Sequence, residues 1–275
     1  MRRYLLILLL SAPLACFMQM HAQVMMNTDY SQELKQAVSL LAGTSATDIA
    51  HHVHYDLKLY DRDGRISTAT YDIYRAPLLY KRVDVKADNF SRTHITSERD
   101  HKEWLSFSGN SPLRIFDFEQ IVERPLAAIG RLSQHAENMQ HEQLEGAPLL
   151  CANDNDGTSI CFNPLIHLIS YAQMFNQTVM YDQWLPIGAH TVPGSIRIFQ
   201  GKKLLVEATG TVEPVEKFPP GLMQIPDTPS QVDPMTAHKV LHSKPIDMTE
   251  AAYGNTAIAL SVDEKGHVTK ADVID

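Results

Sequence analysis

A surplus of positive charge is missing from this chain. Its 275 residues carry 24 Lys and Arg against 32 Asp and Glu, a formal net charge of −8. A nucleic-acid binder shows the opposite sign, gathered on one face, so DNA and RNA are not expected partners. The short motifs of common enzymes are missing too. There is no Gly-x-Ser-x-Gly, no Ser-x-x-Lys, no His-Glu-x-x-His and no Gly-rich phosphate loop. Carboxylate pairs such as Asp154 with Asp156 fall in an expected turn and read as structural. Sites assembled from distant residues escape this test, yet the chain is read as non-enzymatic, with no catalytic residue, cofactor or metal ligand assigned. Beyond the first seventeen residues no stretch is long and apolar enough to span a bilayer.

The composition that is present, 44% hydrophobic and 20% charged, is that of a folded protein with a sizeable core. The N-terminus reads as a processing signal. Arg2 and Arg3 supply the positive start, an apolar run follows through Phe17, and Ala22 before Gln23 makes a cleavage point. The signal peptide is therefore expected to be residues 1–22, and the mature protein periplasmic or otherwise exported to the cell envelope. Two alternatives stay open: a retained anchor, and lipidation at Cys16. Leu14-Ala15-Cys16 resembles the end of a lipobox, although Pro13 stands where that motif has a branched aliphatic residue.

Only three cysteines exist, and Cys16 lies in the signal. The remaining pair, Cys151 and Cys161, is expected to form a disulfide in an oxidising compartment. Turn-forming residues between them, Asp156-Gly157 above all, predict that the sulfurs face each other across a hairpin. The run Asn153 to Gly157 also resembles part of a calcium loop, but it lacks the full ligand spacing and the bidentate Glu.

The periodicity predicts a short helix after Asp29, with Leu34, Val38 and Leu41 on one face and Gly43 at its end. The period then changes to two. His52, His54, Asp56 and Lys58 alternate with Val53, Tyr55, Leu57 and Leu59, and Asp61 to Gly64 turns the chain back through Ala69, Tyr71 and Ile73. Further strands are expected at 79–85, 90–96 and 103–107. Helical material is expected over 111–140, then strands near Leu149 and Ile160 and over 178–185, 195–199 and 204–211. The fold class expected is α+β: a strongly curved antiparallel sheet, a half-barrel, with helices packed on it, plus a small C-terminal β-hairpin segment. Five prolines between Pro219 and Pro234 predict a stiff linker over 218–236.

Two features carry possible binding. His52 and His54 share a strand face and with Asp56 could chelate a metal, although the ordinary reading is a solvated face. The aromatic residues of the meander, among them Tyr55, Tyr71, Trp104, Phe107 and Trp184, either fill a core or line an apolar groove.

From the first helix through Val215 the order of elements resembles the LolA/LolB-like fold of periplasmic lipoprotein carriers. Ser195 to Phe199 and Leu204 to Ala208 look like its last hairpin. The resemblance covers about residues 27–217 and implies a concave apolar surface for a lipid or lipoprotein acyl chain. The C-terminal segment, about residues 237–275, resembles part of the TonB C-terminal domain: Gly254, the alternation Ala257 to Val262, then Asp263-Glu264-Lys265-Gly266-His267-Val268. The chain stops at Asp275, where that family continues with a helix and another strand. The function expected is an exported envelope protein binding an apolar ligand or an envelope protein partner. The alternatives are a TonB-type energy transducer contacting outer-membrane transporters, and an uncharacterised secreted hydrolase.

Overall fold

The computed structural model describes residues 31–40, 49–76, 80–97, 99–109, 111–123, 139–144, 146–153, 159–174, 177–228, 230–231, 258–262 and 268–273. The expected signal peptide, the helical material after residue 123 and the Asp156-Gly157 turn lie outside the described residues.

Helix α1 spans Ser31–Ser39. Five strands follow: β1 His51–Tyr60, β2 Ile66–Ala76, β3 Tyr80–Ala87, β4 Phe90–Ser97 and β5 Lys102–Gly109. Helix α2, Leu113–Glu123, then leads to seven more: β6 Met139–Leu144, β7 Ala147–Asn153, β8 Ser159–Phe162, β9 Ile169–Met174, β10 Gln177–Ile187, β11 His190–Gln200 and β12 Lys203–Pro214. These twelve form one antiparallel sheet in the order β5-β4-β3-β2-β1-β12-β11-β10-β9-β8-β7-β6. Every neighbour but one is consecutive in the chain. The exception is β1 with β12, which joins two meanders through nine residue pairs, His51↔Pro214 to Leu59↔Val206.

This corrects the α+β expectation. Most of the described residues lie in strands, and the described helices contribute nine and eleven residues, too few to form a layer on the sheet. Part of the difference lies at the end of the 111–140 segment: Met139–Leu144, whose start was read from sequence as helical material, pairs with β7 as a strand.

The alternation read in β1 holds in space: residues 51, 53, 55, 57 and 59 are all buried. Carried across the pairing, it gives a continuous inner row from Met139 through Ala152, Ile160, Ala172, Val179, Ile198 and Val206 to Leu59. The sheet is curved. Ile73 of β2 and Ile169 of β9 lie five strand steps apart, about 24 Å in a flat sheet at ~4.8 Å per step, yet they wall the same cavity. One apolar cluster runs from β1–β4 through α2 to β7–β12.

Helix α2 buries Ile115, Phe118 and Ile121, spaced three apart. Phe118 sits edge-on to both Tyr55 and Tyr71, with ring centroids 5.2 and 5.3 Å apart. Each such pair is worth about 0.5–1.5 kcal/mol beyond its burial. Gly210 makes room on β12. A Cβ there would stand 2.6 Å from the Tyr55 ring, so a side chain would push that ring off the strand. Polar groups fix the helix as well. Arg114 donates to Tyr60 O at 3.1 Å and pairs with Asp117, and Gln177 of β10 donates to the same carboxylate at 2.8 Å. The Glu119 carboxylate takes a 2.6 Å bond from Arg92 of β4.

Cys151 and Cys161 are joined by a disulfide. They are directly opposed in the β7–β8 pairing and buried with Leu149 in a small second cluster. A bridge closing a loop of 10 residues stabilises by about 2–3 kcal/mol in the chain-entropy description. Strands β13 Ile258–Val262 and β14 Val268–Val273 form a separate antiparallel hairpin.

The proline-rich stretch, over residues 218–228 and 230–231, is laid across the outer face from β2 to β5. Phe218 packs edge-on against Tyr74, and Arg82 donates to Leu222 O. At the sheet edge Trp104 donates to Thr228 O, and the Leu105 and Phe107 amides donate to Ser230 and Gln231. An edge strand would otherwise present those amides to other chains. We therefore expect a chain ending at Lys217 to lose about 1–3 kcal/mol and to melt roughly 3–10 °C lower than one ending at Gln231. Hydrogen exchange should show the Leu105 amide deprotected. Equal melting temperatures and unchanged Leu105 protection would contradict this.

Candidate functional site

Among the described residues, a cavity of about 50 Å³ lies on the inner face of the sheet beneath the C-terminal end of α2. Strand alternation supplies its walls: Val53 and Tyr55 of β1, Ile73 of β2, Ile169 of β9 and Trp184 of β10, with Ile121 of α2 as the cover. Trp184 is anchored by an Nε1–H bond to Ile169 O at 3.0 Å, and its ring lies 5.6 Å from that of Tyr181. Tyr55 donates its hydroxyl to Pro193 O at 2.9 Å. Burial holds the Tyr55 and Tyr181 phenols well above their ordinary range, so both stay neutral.

Polar side chains interrupt this apolar lining: Thr191, whose hydroxyl donates to Leu40 O, and His51 and Arg75, which face each other in the β1–β2 register. His51 is 1% exposed. Its Nδ1 lies 2.9 Å from Ile49 O, and only a protonated Nδ1 can donate there. The lone pair of the neutral ring then sits on Nε2, which is buried and has no hydrogen-bond partner among the described residues. Burial pushes the His51 imidazole below 6.5. The Ile49 bond opposes that, and the Arg75 and His190 charges add to it. A buried acceptor without a donor is costly, and a ligand bringing an O–H or N–H into the cavity would satisfy it.

A second, more open depression of about 500 Å³ lies over the outer sides of β1, β2, β3 and β12, with Asp56, Lys58, Lys86 and Glu207 at its rim. Its polar, solvated rim suits an apolar ligand poorly, and the interior cavity is the stronger candidate.

No family model matches the chain, and a sequence comparison with curated proteins finds no match. Solved structures do show similar folds. A LolA superfamily protein from Nitrosomonas europaea is 10% identical, with 72% of this chain and 99% of that one covered at a TM-score of 0.43. A DUF1329 family protein from Desulfovibrio piger is 7% identical, with 72% and 98% covered and a TM-score of 0.45. A domain from Vibrio parahaemolyticus, named for outer membrane lipoprotein sorting, is 6% identical, with 69% and 94% covered and a TM-score of 0.43. Likenesses of this size transfer neither ligand nor activity, so the site rests on its own geometry.

Of the residues singled out in the sequence, Tyr55, Tyr71 and Trp184 meet around α2 and the cavity, whereas Trp104 is on the outer face. His52 and His54 share the outer face as expected, but the carboxylate between them is Asp72 rather than Asp56. His51 was not distinguished from its neighbours in the sequence. The signal that could have found it is parity, since residue 51 falls on the same side as Val53 and Tyr55. Because its folded pKa is depressed, the unfolded chain binds more protons below 6.5, so this group costs stability as pH falls through 6.5 and costs nothing well above it. Imidazole NMR should show His51 as the Nδ1–H tautomer at pH 7, titrating below 6.5. An apparent pKa of 6.5 or higher would contradict the assignment.

Proposed function

We propose that this protein is exported to the cell envelope and binds an apolar ligand there, a lipid or a lipoprotein acyl chain, in the interior beneath α2, without chemistry. The observation that carries the reading is the cavity itself: apolar walls contributed by five strands and a helix, with an unsatisfied imidazole nitrogen at one side. That pairing suits an amphiphile, whose chain enters the apolar part while a polar end group donates to His51 Nε2. The charged start and apolar run of the N-terminus support the compartment.

At about 50 Å³ the cavity holds only the end of a chain. Admitting more requires the Ile121–Val122 end of α2 to lift from the sheet. The firm anchors, Phe118 with its two tyrosines and the Arg114–Asp117–Gln177 contacts, lie toward the other end of the helix. The hairpin β13–β14 offers a strand edge of the kind a TonB-type transducer uses, but nothing in the geometry favours a transporter partner over the interior site.

Trp104→Phe leaves Trp184 as the sole tryptophan of the two in the chain. A fluorescent fatty-acyl probe should bind the mature form of this variant saturably at micromolar concentration and change Trp184 emission. Ile121→Asp should abolish both effects. Absence of saturable binding, with the fold confirmed by circular dichroism, would leave the interior as a filled core.

A further inference from the structure

The outer face of β1 carries a constellation that the interior site does not use. His52 and His54 alternate with buried Val53, and Asp72 stands on β2 directly opposite His54. Each imidazole aims one nitrogen at the same carboxylate oxygen. His52 Nε2 and His54 Nδ1 are both 2.8 Å from Asp72 Oδ1. Their other nitrogens meet separate carboxylates, His52 Nδ1 at 3.1 Å from Glu213 and His54 Nε2 at 3.4 Å from Asp56. His52 is further held by stacking on Tyr74, with centroids 4.3 Å apart and planes 3° from parallel.

Proton counting makes this arrangement unusual. A carboxylate only accepts, so satisfying all four contacts takes four N–H groups, and two neutral imidazoles supply two. The deficit can be met by two extra protons, or by one cation placed between the inner nitrogens and Asp72. With a cation there, Glu213 and Asp56 take the outer N–H groups, and the inner lone pairs become ligands. This is the carboxylate–histidine–metal relation that orients metal-binding imidazoles. Three carboxylates, with no Lys or Arg ion-paired to them among the described residues, add a favourable field.

We propose that His52, His54 and Asp72 form a binding site for a divalent transition-metal ion of the zinc type, with the remaining position open to water. Two imidazoles and one carboxylate suit such an ion, whereas calcium and magnesium take oxygen ligands. The ligand atoms already lie within 4.8 Å of one another. Ligands of a tetrahedral ion at ~2.0–2.1 Å stand about 3.3 Å apart, so each 2.8 Å imidazole–Asp72 contact would widen by about half an ångström. The side chains are 19%, 32% and 16% exposed, which leaves the site open to solvent without unfolding.

The test is zinc titration of chelator-treated full-length mature protein by calorimetry, with cobalt absorption as a second readout. About one ion per chain should bind at micromolar concentration or tighter, unaffected by millimolar magnesium. His52→Gln and His54→Gln should each weaken binding at least tenfold, and Glu213→Gln, acting through His52, about tenfold. His94→Gln, whose imidazole pairs with Glu103 elsewhere on the sheet, should bind as the parent does. If a variant fails to fold, imidazole nitrogen shifts of the unmodified protein on adding zinc decide the matter, since His52 Nε2 and His54 Nδ1 must move. No binding below about 100 µM, or binding that persists in the His52→Gln/His54→Gln double variant, would overturn the proposal and leave a proton-sharing network.

Discussion

The pairing of β1 with β12 is the constraint on which the rest depends. It joins the chain's first sheet strand to its last over nine residue pairs and turns two meanders into one twelve-stranded sheet. Because that seam is closed, the free edges fall at β5 and β6, which are neighbours in sequence. Helix α2, which follows β5 in the chain, lies against the inner face of the curve. The helix covers an interior whose aromatic centre, Tyr55 with Tyr71 and Phe118, is built directly beside the seam. The other consequence is a sheet edge at β5, met by Thr228 O and the side chains of Ser230 and Gln231.

The same strand supplies both candidate sites, and parity separates them. Residue 51 points inward with 53, 55, 57 and 59, while 52 and 54 point outward. One histidine of the His51-His52-x-His54 run is thus buried beside an apolar cavity, with its proton affinity lowered by desolvation. The other two face a ring of carboxylates, and one of them has its proton affinity raised. A slip of one residue in the β1–β12 register would exchange these environments and place Tyr55 in water. The close approach of Tyr55 to Gly210 stands against such a slip, since every other residue nearby on β12 carries a side chain.

Much of the sheet was legible because period-two alternation is strong where one face is buried. β1, β2, β3 and β11 follow it closely. Two strands did not announce themselves. Met139-Gln-His-Glu-Gln-Leu144 is an edge strand with a polar middle, and Ile169-Ser-Tyr-Ala-Gln-Met174 is short and carries small residues where apolar bulk would signal burial. At Met139 the helical expectation ran on into an edge strand, because a polar edge strand carries no alternation of its own to mark where it begins. The site was legible only in part. His52 and His54 could be placed on one face from spacing alone, but Asp72 lies on another strand, and cross-strand register is not written in local sequence. The β1–β12 seam, a contact between residues about 150 apart, was beyond reach for that reason too.

Native-state hydrogen exchange resolved by residue tests the seam most directly. If β1–β12 unites the two meanders, the amides of Val53, Tyr55 and Leu57 should exchange only through global unfolding, together with those of Val206 and Ala208 on β12 and of Ile196 and Ile198 on β11. They should share one free energy and one dependence on denaturant. If β1–β5 instead opened at a lower free energy than β7–β12, the two halves would be independent units, and the account of a single sheet with one interior would fail.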